Sequence, residues 1–158
     1  MLLNCDRVLE KARQAKNLYF HLILLIAPRY SGKTQILNEL KARTGFPLFN
    51  VSLEFARRML DLNQRQRLLS APHLLNEIIS EVGGDTILLD NLEILFETAL
   101  KLDPLRLLQG ISRNHLIIAS WNGEVKDGCL VYAEPGHPEY RKYLIQDFIV
   151  ISISSTDI

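Results

Sequence analysis

Apolar positions along this chain fall into two regimes. Short runs that are apolar almost throughout alternate with longer stretches in which apolar residues recur every three or four positions. Cys5, Val8, Leu9 and Ala12 recur at helical spacing and predict a short amphipathic helix over 4–16. A first strand follows over 20–26, then a glycine-containing loop, then a helix to about Arg43 that Thr44-Gly45 ends. Residues 46–51 read as a second strand. A helical stretch over 53–68 comes next, and Pro72 is expected to open a further helix at its first turn. Leu74, Leu75, Ile78, Ile79 and Val82 form the buried face of that helix, and Gly83-Gly84 stops it.

Thr86 to Asp90 is a third strand. Asp103-Pro104 caps a helix to about Ser112, and a fourth strand runs from His115 to Ser120. The glycine- and proline-bearing stretch 122–136 reads as loop, with a small hairpin of 129–131 against Tyr132 and its neighbours. Pro138 is expected to start a last helix to about Ile145, before a fifth strand over 148–154. Strands that alternate with helices and are apolar on both faces predict an α/β fold: a parallel sheet covered on both sides. In such sheets, ligands sit outside the carboxyl ends of the strands.

A chain of 158 residues suits one domain, 1–158, with room for a real core. Its formal net charge is zero, so no overall field drives it onto nucleic acid or anionic membrane. The apolar run 18–27, broken by His21, is too short to span a bilayer, and charges at Asp6, Arg7, Glu10 and Lys11 argue against a signal peptide. A cytoplasmic location is expected. Cys5 and Cys129 lie far apart and read as reduced thiols, and His21, His73, His115 and His137 have no metal-ligand spacing.

The most informative motif is Ala27-Pro28-Arg29-Tyr30-Ser31-Gly32-Lys33-Thr34, which fits the phosphate-binding pattern [AG]-x-x-x-x-G-K-[ST]. A strand precedes it and a helix follows. Loop N–H groups from Ala27 to Gln35, together with the helix N-terminus, form an anion cradle. Gly32 lets backbone approach phosphate closely, Lys33 can reach the β- and γ-phosphates, and Thr34 can ligate Mg²⁺. Asp90, at the end of the third strand, is the second candidate Mg²⁺ ligand.

Hydrolases of this type usually carry a glutamate directly after that aspartate. Here the position holds Asn91, which cannot act as a base. Glu93 is a candidate substitute, although an acid in the first turn of a helix is commonly a solvated one favoured by the dipole. Asn122, with Ser120 second, is the candidate contact to the γ-phosphate or the attacking water. Arg141, Lys142 and Arg113 are candidate cations for a neighbouring subunit's site, and each also suits a surface position near a helix end. Arg57, Arg58, Arg65 and Arg67, offset by Glu54 and Asp61, could touch a phosphate backbone but more often form a solvated face.

This order of elements resembles the AAA+ and STAND branches of the P-loop NTPases, and Leu88-Leu89-Asp90-Asn91-Leu92-Glu93 resembles the aspartate motif of some STAND ATPases. More narrowly, the chain resembles the BrxF family, small P-loop proteins of type 3 BREX bacteriophage-exclusion systems. The stretches 50–54, 88–96, 103–110 and 132–140 carry that likeness. The last two, Asp103-Pro104-Leu105-Arg106-Leu107-Leu108-Gln109-Gly110 and Tyr132-Ala133-Glu134-Pro135-Gly136-His137-Pro138-Glu139-Tyr140, are not generic nucleotide-binding signatures.

The resemblance implies a P-loop NTPase core with strand order 5-1-4-3-2 and an ATP-binding component of an antiviral defence system. Its partners would be itself, as a homo-oligomer, and other BREX proteins, including a DNA methyltransferase and a phosphatase-like protein, with DNA as a further candidate and no membrane. AAA+ proteins usually add a helical lid with a sensor arginine, and no lid is expected here. The expected cofactors are ATP and Mg²⁺; the absence of an Asn-Lys-x-Asp motif weakly favours ATP over GTP. Three functions stand open: a slow ATPase acting as an oligomeric switch, a nucleotide-binding adaptor without turnover, and a small-molecule kinase.

Overall fold

The computed structural model describes residues 2–28 and 32–153. Five strands form one all-parallel sheet: β1 (Leu22–Ala27), β2 (Leu48–Asn50), β3 (Thr86–Asp90), β4 (Leu116–Asn122) and β8 (Ile149–Ser152). Their spatial order is β2-β3-β4-β1-β8. Between β4 and β8 the chain makes a second, antiparallel sheet of β5 (Glu124–Lys126), β6 (Cys129–Tyr132) and β7 (Arg141–Leu144). The helices are α1 (Leu2–Ala15), α2 (Lys33–Thr44), α3 (Val51–Met59), α4 (Gln64–Val82) and α5 (Pro104–Ile111).

The continuous apolar strands follow from burial on both faces. In β1, Leu22, Leu24 and Ile26 join a cluster with Phe55, Leu75, Ile78 and Leu108 of α3, α4 and α5. Ile23, Leu25 and Ala27 point the other way, to Val8 and Ala12 of α1 and Ile36, Leu37 and Leu40 of α2. Side chains alternate across a strand, so a strand with helices on both sides must be apolar at every position. Burying each such Leu or Ile contributes roughly 1.5–3 kcal/mol.

Two expected boundaries are corrected. The stretch 53–68 is not one helix, and Pro72 does not open a new one. α3 stops at Met59, and α4 starts at Gln64 and continues through Pro72. A reciprocal capping box sets that start: Asn63 accepts from the Gln66 N–H, while the Gln66 side chain accepts from the Asn63 N–H. Pro72 lies on the exposed side of α4, so its missing hydrogen bond falls where water can serve the freed carbonyl. The buried face of Ala71, Leu74, Leu75, Ile78 and Ile79 holds the helix together past it.

The other correction is larger. The expected helix from Pro138 to Ile145 is absent. Residues 137–140 form a turn, closed by Tyr140 N–H to His137 O at 3.0 Å, and Arg141–Leu144 is β7. Alternation decides it: Arg141 and Tyr143 face inward while Lys142 and Leu144 are exposed, which suits a period of two. The stretch 122–136, expected to be mostly loop, holds the hairpin of β5 and β6 that β7 joins.

An aromatic cluster fixes this small sheet to the core. Tyr132 stacks on Phe96 at 3.5 Å between ring centroids, and Trp121 meets Phe96, Tyr132 and Tyr143 edge-on. The Trp121 indole N–H donates to Val131 O at 3.2 Å. Burial raises the Tyr143 hydroxyl above its usual range, and the bond it donates to Asp103 adds to that shift.

Gly123 sits where the hairpin crosses the end of β4, and a Cβ there would lie 2.0 Å from the Val131 carbonyl oxygen. Because the obstacle is backbone, no rotamer change relieves it. Gly123→Ala is therefore expected to lower stability by about 2–3 kcal/mol, the upper part of the overpacking range. Urea denaturation followed by the emission of Trp121, the one tryptophan of the chain, would measure this.

Candidate functional site

The parallel register brings the ends of β1, β3 and β4 to one edge. Leu25 pairs with Ser120 and Ala27 with Asn122, while Leu89 pairs with Ala119. Ser120 and Asn122 therefore lie between the start of the loop after β1 and Asp90. Within that loop Arg29, Tyr30 and Ser31 lie outside the described residues. Gly32 adopts the left-handed conformation at φ 87° and caps α2, whose first residues are Lys33, Thr34 and the exposed Gln35.

Asp90 is the centre of the arrangement. Its side chain is buried, and each carboxylate oxygen accepts a hydroxyl: Thr34 Oγ1 donates to Oδ2 at 2.7 Å and Ser120 Oγ to Oδ1 at 2.5 Å. A buried carboxylate needs such donors, because leaving it unpaired is costly. The Thr34 bond joins residues 56 positions apart at the N-terminus of α2.

Lys33 is only 5% exposed. Its ammonium donates to Ala27 O at 3.0 Å and Pro28 O at 2.7 Å. Burial pushes it below the usual lysine value of 10.5, against the raising pull of the Asp90 and Glu93 carboxylates.

Glu93 is not a solvated acid on a regular helix. It opens a 3₁₀ turn, Glu93–Phe96, and is half-buried. Asn122 Nδ2 donates to its Oε1 at 2.8 Å, and Ser52 Oγ lies 3.5 Å from its Oε2. Ser52, in the first turn of α3, also donates to Asn91 O at 2.7 Å and accepts from the Ile94 N–H at 3.2 Å. The sequence reading missed Ser52. The signal was available: it is a polar residue just past a short strand whose end, Asn50, pairs with Asp90.

Asn91 explains how Glu93 gets there. It has φ 55°, a left-handed conformation that asparagine tolerates better than glutamate. That residue turns the chain out of β3 and into the 3₁₀ turn, and Glu93, rather than position 91, meets Asn122.

The candidate cations are elsewhere. Arg141 lies on β7, not on a helix before the last strand, and its Nη2 donates to Leu102 O at 2.8 Å. Lys142 is exposed on the same strand, and Arg113 sits over the Tyr19 ring at 5.2 Å. Among the candidate nucleic-acid arginines, Arg58 pairs with Glu81 at 2.7 Å, Arg57 with Glu54 at 3.3 Å, and Arg67 Nε donates to the Met59 and Leu62 carbonyls near the end of α3. Arg65 is exposed.

Among the described residues no group of three or more His, Cys, Asp or Glu side chains could hold a metal ion by itself. The Thr34 and Asp90 oxygens fit a different kind of site, in which Mg²⁺ takes one or two protein oxygens and completes its shell with phosphate and water. Among the described residues no helix is long and apolar enough to cross a membrane.

No family model matches this sequence, and no curated protein matches it.

The role of Asn91 is testable without any ligand. Asn91→Gly should leave stability within about 0.5 kcal/mol of wild type, because glycine enters the left-handed region freely. Asn91→Glu should lower it by about 1 kcal/mol. Equal urea midpoints for the two variants would refute the conformational explanation.

Proposed function

We propose that this protein is a P-loop NTPase domain that binds ATP with Mg²⁺ and hydrolyses it slowly, acting as a nucleotide-controlled switch. One observation carries the reading. The threonine of the Gly-Lys-Thr motif and the aspartate at the end of β3 meet at 2.7 Å, at the N-terminus of the helix that follows the motif. The strand order, which is 5-1-4-3-2 when the parallel strands are counted alone and read from β8, supports the same reading.

The residues take these roles. The N-terminus of α2 and the loop N–H groups receive phosphate oxygens. Lys33 turns from the Ala27 and Pro28 carbonyls toward the phosphates. Thr34 and Asp90 hold Mg²⁺, which supplies charge neutralisation on the phosphates when bound. Glu93 accepts a proton from the attacking water, and Asn122 fixes the carboxylate that receives it.

The resemblance to the BrxF family supports placing this activity in a phage-exclusion system, with self-assembly and partner proteins as the output and a cytoplasmic location. Direct DNA contact has less support, since three of the four arginines on α3 and α4 are engaged within the protein. Arg141 is also less suited to act on a neighbouring site than the sequence suggests, because it is tied to Leu102 O. A second reading, an adaptor without turnover, draws on Asn91, which leaves the position directly after Asp90 without an acid.

Calorimetry and phosphate release separate the two. Lys33→Ala should weaken ATP binding at least tenfold. Glu93→Gln should retain binding and lower turnover about 10²-fold or more if Glu93 is the base. Measurable binding with no turnover above Glu93→Gln would leave the adaptor.

The pH dependence follows from Lys33. The free protein holds its ammonium below 10.5, and bound polyphosphate favours the charged form. ATP affinity should therefore fall as pH rises through the lowered Lys33 value, earlier than for an ordinary lysine. Isothermal titration between neutral pH and pH 10 would check this, and Lys33→Ala should abolish the trend.

A further inference from the structure

Asp90 and Ser120 stand side by side near the ends of neighbouring parallel strands. Leu89 of β3 pairs with Ala119 of β4, which sets Ser120 beside Asp90. Leu88 and Ile118, two positions before each, pack in the cluster that includes α2. Side chains two apart on a strand share a face, so both polar groups point to the side of the sheet where α2 begins. Ser120 is 4% exposed, and β4 is paired on both flanks, with Leu25 of β1 opposite Ser120. Backbone pairing, not a loop, holds this hydroxyl in place.

The two oxygens of Asp90 therefore have different tasks. Oδ2 accepts from Thr34, at the start of α2, at 2.7 Å. Oδ1 accepts from Ser120 at 2.5 Å. A cation beside Thr34 could be chelated by both oxygens only if Oδ1 left Ser120. That would strand a buried hydroxyl without its acceptor, which folded proteins avoid. Glu93 is no ready substitute, because its Oε1 already accepts from Asn122 Nδ2 at 2.8 Å. A cation at this edge is thus offered one oxygen of one carboxylate.

That offer separates two common ions by their chemistry. Mg²⁺ takes about six ligands in a strict octahedron and is content with single carboxylate oxygens, phosphate and water. Ca²⁺ takes about six to eight and readily uses both oxygens of a carboxylate. We propose that Ser120 sets the metal preference of the site: it holds Asp90 to ligation through Oδ2 and so favours Mg²⁺ over Ca²⁺ in the nucleotide complex. The inference rests on the nucleotide reading and gives that site a positioning residue for metal choice.

Isothermal titration of the full chain with a non-hydrolysable ATP analogue, in Mg²⁺ and in Ca²⁺, tests it by binding alone. The wild type should bind the Mg²⁺ complex about tenfold tighter or more. Ser120→Ala frees Oδ1, and the Mg²⁺-to-Ca²⁺ affinity ratio should fall about fivefold or more. Ser120→Thr keeps the donor and should keep the wild-type ratio. Ser112→Ala removes another buried serine hydroxyl, which donates to Gln109 O, and should leave the ratio unchanged. Circular dichroism checks each fold; should Ser120→Ala unfold, Ser120→Cys, with its weak donor, takes its place with the same fall expected.

The two readings fail separately. A wild type without Mg²⁺ preference, or a ratio equal in wild type and Ser120→Ala, overturns the role of Ser120 and leaves nucleotide binding standing. Equal weakening of both complexes in Ser120→Ala does the same, since it reports support of the fold alone. No nucleotide binding with either metal overturns the nucleotide reading and this inference with it.

Discussion

The site depends on one buried carboxylate. Asp90 ends a strand whose every residue is buried, so its charge emerges at the carboxyl edge of the sheet with little water around it. Such a group is tolerable only when its oxygens are satisfied. Thr34 and Ser120 do this from two different elements, the start of α2 and the middle strand β4. The carboxylate therefore fixes where α2 begins relative to β3, and the two hydroxyls fix Asp90 in turn. Both need the parallel register that aligns β1, β4 and β3.

From that point the chain makes an uncommon choice. Asn91 takes a left-handed conformation directly after Asp90, and its carbonyl accepts from both the backbone and the hydroxyl of Ser52. The turn is thus held from outside by the first turn of α3. Its consequence is a displaced acid: Glu93 reaches Asn122 across the gap between β3 and β4. A glutamate at position 91 would have to accept left-handed backbone or pull the 3₁₀ turn away from Ser52. The local conformation and the identity of the residue are consistent with each other, and the acid two positions on is the one that meets Asn122.

Much of the sheet was legible because its signal is simple. Runs such as 22–27 and 86–90 are apolar throughout only when both faces are covered, and few other arrangements need that pattern. The meeting of Thr34 with Asp90 was legible because the motif sets Thr34 in a helix's first turn after one strand, and Asp90 ends another apolar strand of the same parallel sheet. The errors have physical sources. Proline favours a helix's first turn, yet the capping box at Asn63 and Gln66 outweighs Pro72, and proline on an exposed helix face gives up one bond that water can replace. In β7, four residues are too few to distinguish a period of two from a helical one. What decides it is pairing with β6 and the packing of Tyr143 on Trp121, contacts that no local window contains. Arg141 followed its element, and its placement changed with it. The setting of Glu93 is not legible locally, because its partner Asn122 lies 29 positions away.

The small antiparallel sheet changes what the carboxyl edge can recognise. A helix before the last strand would set Arg141 and Lys142 side by side on one turn. The strand instead sends Arg141 inward to Leu102 O and Lys142 outward, so the region beside Asn122 is lined by Glu124, Glu134 and Glu139. Asn122 is the uncharged side chain at this edge, and its amide donates to Glu93. A carboxylate in its place would meet the Glu93 carboxylate as a like charge, with no proton to donate, so a neutral donor is the side chain this position suits.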